Sequence, residues 1–303
     1  MTWWWGWQAR YAPYLFVAPF GVLFLLFMAY PLGRSVVMSF YSYAGPHSSR
    51  FVGLGHYRFF LGDFLLWIAV ANTVAYAIAY VVLQIPLSLA LAMLLNGRRV
   101  WLRGVLRFAF FAPFLVGNVF VSMIFVLLLA QRHGLIPRAM GLVRPAWLET
   151  NWLGDPVYAR LAVVIAGLWL TVGWGMVFFL AALQGVDPEL YDAAAVDGAG
   201  RWGRIRHVTL PGIRPVMVFL IVTGTIAALQ MFELPYVIFL QQGSPAGPKW
   251  AGLTVVMYLY QQGFDLGDLG AACALGWLLV VLIFGVALVQ IRFARGGGGE
   301  EEA

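Results

Sequence analysis

Gly185-Val186-Asp187-Pro188-Glu189-Leu190-Tyr191-Asp192-Ala193-Ala194-Ala195-Val196-Asp197-Gly198-Ala199-Gly200 separates two long apolar runs, 160–184 and 214–240. Asp187 is suited to cap a helix start, Pro188 to fill its first position, and Glu189 to complement its positive end. Three consecutive alanines favour helix, and Gly198 can stop it in a left-handed turn. The stretch therefore predicts a short helix with a face of small side chains, held just outside a membrane. Such a face lets a partner approach closely; the bland alternative is a simple connector. A short basic segment, Arg201 to His207, follows, and Pro211 and Pro215 lead into the next apolar run.

Outward from this loop, apolar runs fall at about 12–33, 64–95, 105–130, 160–184, 214–240 and 270–292. Each is long enough to cross the hydrocarbon core as a helix, which takes ~20 residues. The expected fold is therefore all-α, a six-span membrane protein. Composition agrees: the 303 residues are 62% hydrophobic and 11% charged, too little polar material to coat a water-exposed surface. Three segments are expected: an N-terminal piece 1–11, a six-span domain 12–293 holding the 185–212 loop, and a low-complexity tail 294–303. The first run continues to Tyr30-Pro31 and reads as a retained helix rather than a cleaved signal. Trp3, Trp4, Trp5 and Trp7 precede it, as amphipathic rings do at the headgroup level.

With both termini placed in the cytoplasm, eleven of the 19 basic residues fall inside, a weak positive-inside bias. Arg98, Arg99, Arg201, Arg204 and Arg206 then read as anchors to lipid headgroups. Net charge +6 spread between apolar runs does not indicate nucleic acid. The outer stretch 131–159 has the polar and turn-forming residues of a small cap. Pro19, Pro86 and Pro113 read as ordinary helix kinks; Pro235, two residues after Glu233, reads as a hinge or opened backbone.

Several chemistries find no support. The single cysteine, Cys273, excludes an internal disulfide and a multi-cysteine metal site. His47, His56, His133 and His207 lie at unrelated spacings, there is no HExxH, and no metal or catalytic residue is assigned. No phosphate-cradling GxxxxGK[ST] occurs, so this chain is not expected to hydrolyse ATP. An ion-gradient-driven transporter is the competing function class. It would call for intramembrane carboxylates, of which only Glu233 stands out.

The loop also resembles the EAA loop of binding-protein-dependent ABC importer permeases. Asp192-Ala193-Ala194-Ala195-Val196-Asp197-Gly198-Ala199, then Val208-Thr209-Leu210-Pro211, follow the family pattern Glu-Ala-Ala, two residues, Asp-Gly-Ala, and later Ile-x-Leu-Pro. Asp192 departs from the usual glutamate and Val208 from isoleucine. Phe51-Val52-Gly53-Leu54-Gly55-His56-Tyr57, Ala71-Asn72-Thr73, Phe232-Glu233-Leu234-Pro235-Tyr236-Val237, Gly243-Ser244-Pro245 and Tyr258-Leu259-Tyr260 extend the resemblance to the sugar subfamily, of maltose or glycerol-phosphate type. The resemblance implies a permease that pairs with a second permease, an ATPase dimer carrying the ATP and magnesium, and a periplasmic or lipid-anchored solute-binding protein. It implies that Asp192, Ala193, Ala194, Asp197, Gly198, Leu210 and Pro211 meet the ATPase. It also aligns Leu170, Thr171, Trp174, Phe232 and Glu233 with solute-contacting positions.

A sugar site needs polar groups for hydroxyls and an aromatic face, converging near the membrane midplane. Glu233 is the only acidic residue placed inside a run. A charge there would cost ~2.5–3.5 kcal/mol against lipid, so it should face the interior, as a solute ligand or a structural charge. Trp169, Thr171 and Trp174 offer aromatic and hydroxyl groups, and Gln230 an amide. Trp174 and Glu233 are expected to share one cavity. Asn72 and Asn118 read as interhelical glue.

Overall fold

The computed structural model describes residues 2–43, 49–97 and 102–296, with side chains described from Arg10 to Phe293 within those ranges. The rings of Trp3, Trp4, Trp5 and Trp7, His47, Arg98, Arg99 and the 297–303 tail lie outside that description.

Among the described residues, four helices are long and apolar enough to cross a membrane: Arg10–Met38, Phe64–Asn96, Pro156–Gln184 and Leu269–Phe293. Two further apolar segments are bent pairs, Arg103–Val116 with Asn118–Leu129 at 100° and Arg201–Gly212 with Arg214–Leu229 at 70°. The all-α architecture holds, with one short antiparallel hairpin, Tyr41–Tyr43 against Ser49–Phe51, added to it.

Two expected spans are thus not simple rods. The 105–130 run breaks at Gly117, which takes φ +86°, ψ 160°, a conformation open to a residue without Cβ. Pro113 lies within the Arg103–Val116 helix, and neither Pro19 nor Pro86 ends its helix. The 214–240 run ends its first helix at Leu229 and restarts at Glu233–Leu240. Pro235 is therefore not the break. It sits third in the new helix, where a missing N–H leaves no intrahelical bond unmade.

The described chain divides into two units. In the first, residues up to 63 with 259–280, the Arg10–Met38 helix buries none of its apolar window, leaving side chains such as Phe16 and Phe27 exposed. Asp268 organises the rest. Its carboxylate accepts the Ser42 hydroxyl at 2.8 Å and the Tyr43 N–H at 3.2 Å, and so holds the hairpin. It also accepts the Gly270 and Ala271 N–H groups, both at 3.1 Å, and so caps the last long helix. Burial disfavours its charge, but the Ala271 and Tyr43 N–H groups, the Ser42 hydroxyl and nearby His56 outweigh it and hold the Asp268 carboxyl below the usual range.

A depressed folded-state pKa stabilises above the unfolded value near ~3.9 and ceases to stabilise as pH falls through the folded value. Wild-type thermal stability in detergent is therefore expected to fall below about pH 4, and Asp268→Asn to flatten that dependence. Identical pH profiles would remove Asp268 as the clamp.

The second unit, residues 64–258 with 281–296, is a helical bundle with several apolar clusters, of which two are large. One gathers Tyr76, Val121, Phe125, Val163, Leu170 and Phe239. The other gathers Leu89, Ala92, Phe179, Leu183, Val186 and Ile213 at the end that carries the 185–212 loop. Glycines permit the close approaches: a Cβ on Gly167 would lie 3.1 Å from the Tyr80 ring, and one on Gly173 1.8 Å from the Phe110 carbonyl oxygen.

Much of the irregular 246–254 segment is buried in this unit, with Ala251, Leu253 and Thr254 at 0% exposure, while Lys249 and Trp250 stand out. Backbone groups without a helix need partners away from water, and the 64–96 helix supplies them. Asn72 Nδ2 donates to the Trp250 and Leu253 carbonyls at 2.7 and 3.0 Å, and the Tyr76 hydroxyl to Ala251 at 2.7 Å. Asn72 thus fastens a loop, and its Oδ1 also accepts Arg160 Nη2 from the 156–184 helix at 3.5 Å. The 131–159 stretch forms a small cap with helix Leu135–Val143, closed by an exposed Arg132–Glu149 ion pair at 2.7 Å.

Candidate functional site

The 185–212 loop has the predicted start and stop. Asp187 Oδ1 accepts the Glu189 N–H at 2.9 Å, and helix Pro188–Val196 follows. Gly198 takes φ +78°, its N–H reaches the Ala195 carbonyl at 3.2 Å, and the Ala199 N–H reaches Ala194 at 2.9 Å. This pair of bonds closes the helix on its own carbonyls, and only glycine takes that φ without strain. The segment after it runs Arg201–Arg204, a wide turn Ile205–Thr209, then Leu210–Gly212. A Tyr191–Thr209 hydroxyl contact at 3.1 Å ties the two arms together.

Asp192, Ala193, Asp197, Gly198 and Pro211 are exposed, and Ala194 is half-buried. Asp192 has no partner among the described residues. Leu210, with Val208, packs on the Leu183–Val186–Ile213 cluster, so it anchors the loop and is not fully presented to a partner. Sequence reasoning missed the apolar rim: Val196 is 88% exposed and Trp202 74%. Apolar side chains standing out beside a capped polar helix were the available signal.

The second place is a cavity of about 360 Å³ where three helices meet the 230–232 break. Thr171 comes from the 156–184 helix, Tyr80 from the 64–96 helix, and Ala227 and Ala228 from the 214–229 helix. The break itself supplies Gln230, Met231 and Phe232, and Glu233 begins the next helix. Thr254 Oγ1 donates to the Met231 carbonyl at 3.0 Å, satisfying one backbone group that the break frees. Asn118, the first residue after the Gly117 bend, donates its amide to Glu233 Oε2 at 2.5 Å. The Tyr80 hydroxyl bonds Thr171 Oγ1, which itself donates to Gly167 O at 2.8 Å. Phe232 stacks on Tyr236 with ring centroids 5.0 Å apart.

Thr171, Gln230, Phe232 and Glu233 are thus brought together, and Trp174 is not. Its ring lies one turn away, 6.1 Å from Phe114 and 4.7 Å from Phe178, as packing. Trp169 likewise packs on Phe125 at 6.0 Å. Asn118 is both interhelical glue and cavity wall. Tyr80 was missed, although a tyrosine hydroxyl deep in an apolar run needs a partner, and that was its signal. The wall offers a carboxylate, two amides, hydroxyls and an aromatic ring, a set suited to a polyhydroxylated solute. Among the described residues no three His, Cys, Asp or Glu side chains come together to hold a metal.

The 185–212 loop and the cavity wall, Tyr80 excepted, fall inside a family match: residues 84–296 match the binding-protein-dependent transport system inner membrane component. The chain is 33% identical over 300 residues, 97% of this chain and 94% of the relative, to the arabinooligosaccharides transport system permease protein AraP of Bacillus subtilis (strain 168). It is 32% identical, covering 93% of each, to the lactose transport system permease protein LacF of Rhizobium radiobacter. The fold matches a chain of a bacterial ABC transporter involved in the import of the acidic polysaccharide alginate, with TM-score 0.83 and 21% identity over 97% of this chain and 99% of that one. This chain therefore belongs to the binding-protein-dependent transport system inner membrane component family, as a membrane-embedded permease subunit of an ABC importer.

Proposed function

We propose that the chain lines, together with a second permease subunit, the path of an ATP-driven importer for a neutral sugar or oligosaccharide. The observation that carries this reading is the cavity at the 230–232 break, where Glu233, Asn118, Gln230 and Phe232 converge. A solute's hydroxyls would hydrogen-bond the carboxylate and amides, and its apolar face would lie on Phe232. Relatives named for arabinooligosaccharides, lactose and trehalose/maltose support a sugar. Glu233 weighs against an anionic solute at this point, since like charges repel in a poorly solvated site.

The exposed 188–196 helix, with Val196 and Trp202 beside it, would seat in a cleft of an ATPase dimer that carries ATP and magnesium. In that arrangement the loop and both termini would face the cytoplasm, across a bacterial inner membrane. A periplasmic or lipid-anchored binding protein would deliver the solute from the other side.

The test is uptake into proteoliposomes of labelled neutral oligosaccharides by this chain with its second permease, ATPase and binding protein. Uptake should require all four and ATP. Gradient-driven uptake by the lone chain would overturn the reading in favour of an ion-coupled transporter. Within the working complex, Glu233→Gln keeps the shape but removes the charge. Losing a charge-assisted hydrogen bond of ~1.5–3 kcal/mol should lower uptake roughly tenfold or more. Trp174→Ala should leave solute preference unchanged, because that ring stands outside the cavity.

A further inference from the structure

Directly beneath the cavity, three helices each contribute one residue four positions farther toward the 185–212 loop. Tyr80 leads to Gln84, Thr171 to Gly175, and Ala228 back to Gly224. Four residues of helix advance ~6 Å, so these three lie one turn below the cavity wall. The direction is fixed because the 156–184 helix runs into the loop and the 214–229 helix runs out of it. Leu95, near the end of the 64–96 helix, packs in the same cluster as Leu183 and Ile213.

Gln84 fills this level. It is 2% exposed, and its Oε1 has no hydrogen-bond donor. The two glycines make room for it: a Cβ on Gly224 would lie 3.3 Å from Gln84 Oε1, and one on Gly175 3.3 Å from Gln84 Nε2. The latter Cβ would also press on Ser88 Oγ at 2.7 Å. Ser88, four residues below Gln84 on the same helix, is occupied with the Val172 carbonyl at 2.9 Å and offers no donor in exchange. A buried acceptor without a donor is unfavourable, and apolar residues of equal volume would pack this level at least as well. A solute bearing hydroxyls supplies the missing donor.

We propose that Gln84, seated between Gly175 and Gly224, is the floor of the solute cavity, and that its amide oxygen accepts a hydroxyl of a polyhydroxylated solute when the helices part. The solute class rests on the function proposed above; the floor does not. Closed, the amide blocks the way down. Opened, it is the first polar group that a solute leaving Thr171 and Glu233 meets.

The test uses the complete transporter in proteoliposomes. Gln84→Met keeps the volume and removes the acceptor. Maximal uptake should fall about tenfold, while half-saturation and binding-protein-stimulated ATP hydrolysis stay within about twofold of wild type. A purely structural amide would instead lower assembly and hydrolysis together, or change nothing, and either result overturns the role in passage. A second measurement reads the floor without reference to solute. In a Cys273→Ser background, Gln84→Cys should resist a membrane-impermeant maleimide at rest and react during ATP turnover. Equal labelling in both states, or none during turnover, overturns the floor. If wild type hydrolyses ATP but takes up no polyhydroxylated solute, the solute class fails, and the labelling still decides the floor.

Discussion

Gly173→Ala is expected to destabilise the fold strongly. A Cβ at this position would lie 1.8 Å from the Phe110 carbonyl oxygen, 2.4 Å from the Phe110 carbonyl carbon and 2.9 Å from the Phe111 nitrogen. All three are backbone atoms in the middle of a helix, so no side-chain rotation relieves the contact. An ordinary non-bonded separation is about 3.5 Å or more, so the 103–116 and 156–184 helices would have to move apart by well over 1 Å. Overpacking that a side chain can absorb costs ~1–3 kcal/mol, and one that displaces a helix should exceed it. Against a total stability of order 5–15 kcal/mol, a loss of at least 3 should lower the thermal midpoint by roughly 10 °C. The measurement is thermal unfolding in detergent beside Gly21→Ala, whose Cβ would meet nothing within 4 Å. A midpoint within 2 °C of wild type would mean that the two helices are not held at this distance. Because Gly173 stands between Thr171 and Gly175, the same shift would spoil both the cavity wall and the level beneath it.

The features that sequence reveals best here are those set by a few adjacent residues. The cap at Asp187 and the stop at Gly198 depend on one side chain and one missing side chain, and both are as expected. The apolar runs also locate the membrane segments, because the length needed to cross hydrocarbon leaves a plain compositional trace. The breaks are another matter. Nothing in the 214–240 run sets Gln230 to Phe232 apart strongly enough to announce an opening. The opening is held by Thr254, 23 residues farther on, bonding the Met231 carbonyl. Likewise Gly117 is one glycine among 34, and its bend matters because it brings Asn118 to Glu233, across 115 residues of sequence. Glu233 was legible for a different reason: a carboxylate in an apolar run is too costly to leave against lipid. Trp174 was misplaced because an aromatic ring near a hydroxyl on the same helix suggests a binding face. Packing partners, here Phe114 and Phe178, cannot be read from one helix.

Gly198→Asp is expected to abolish uptake while sparing the fold, on the reading that the 185–212 loop docks on an ATPase. Within this chain the added side chain meets no obstacle, since a Cβ on Gly198 finds nothing within 4 Å. The internal cost is the backbone: φ +78° suits glycine and strains an aspartate by ~1–2 kcal/mol. That is affordable for a stable bundle whose loop is also held by the Tyr191–Thr209 contact and by Leu210 in its cluster. The larger effect falls outside the chain. Asp192 and Asp197 are already exposed at this surface beside Val196 and Trp202, and a third carboxylate would crowd the same face. A charge pressed into a docked, partly apolar contact costs several kcal/mol, enough to weaken the complex more than a hundredfold. The variant should therefore reach the membrane and keep a thermal midpoint near wild type when purified alone, yet fail to retain the ATPase on co-purification. Gly198→Ala adds the strain without the charge and should lose far less. Equal retention of the ATPase by Gly198→Asp and wild type would move the docking surface elsewhere on the chain.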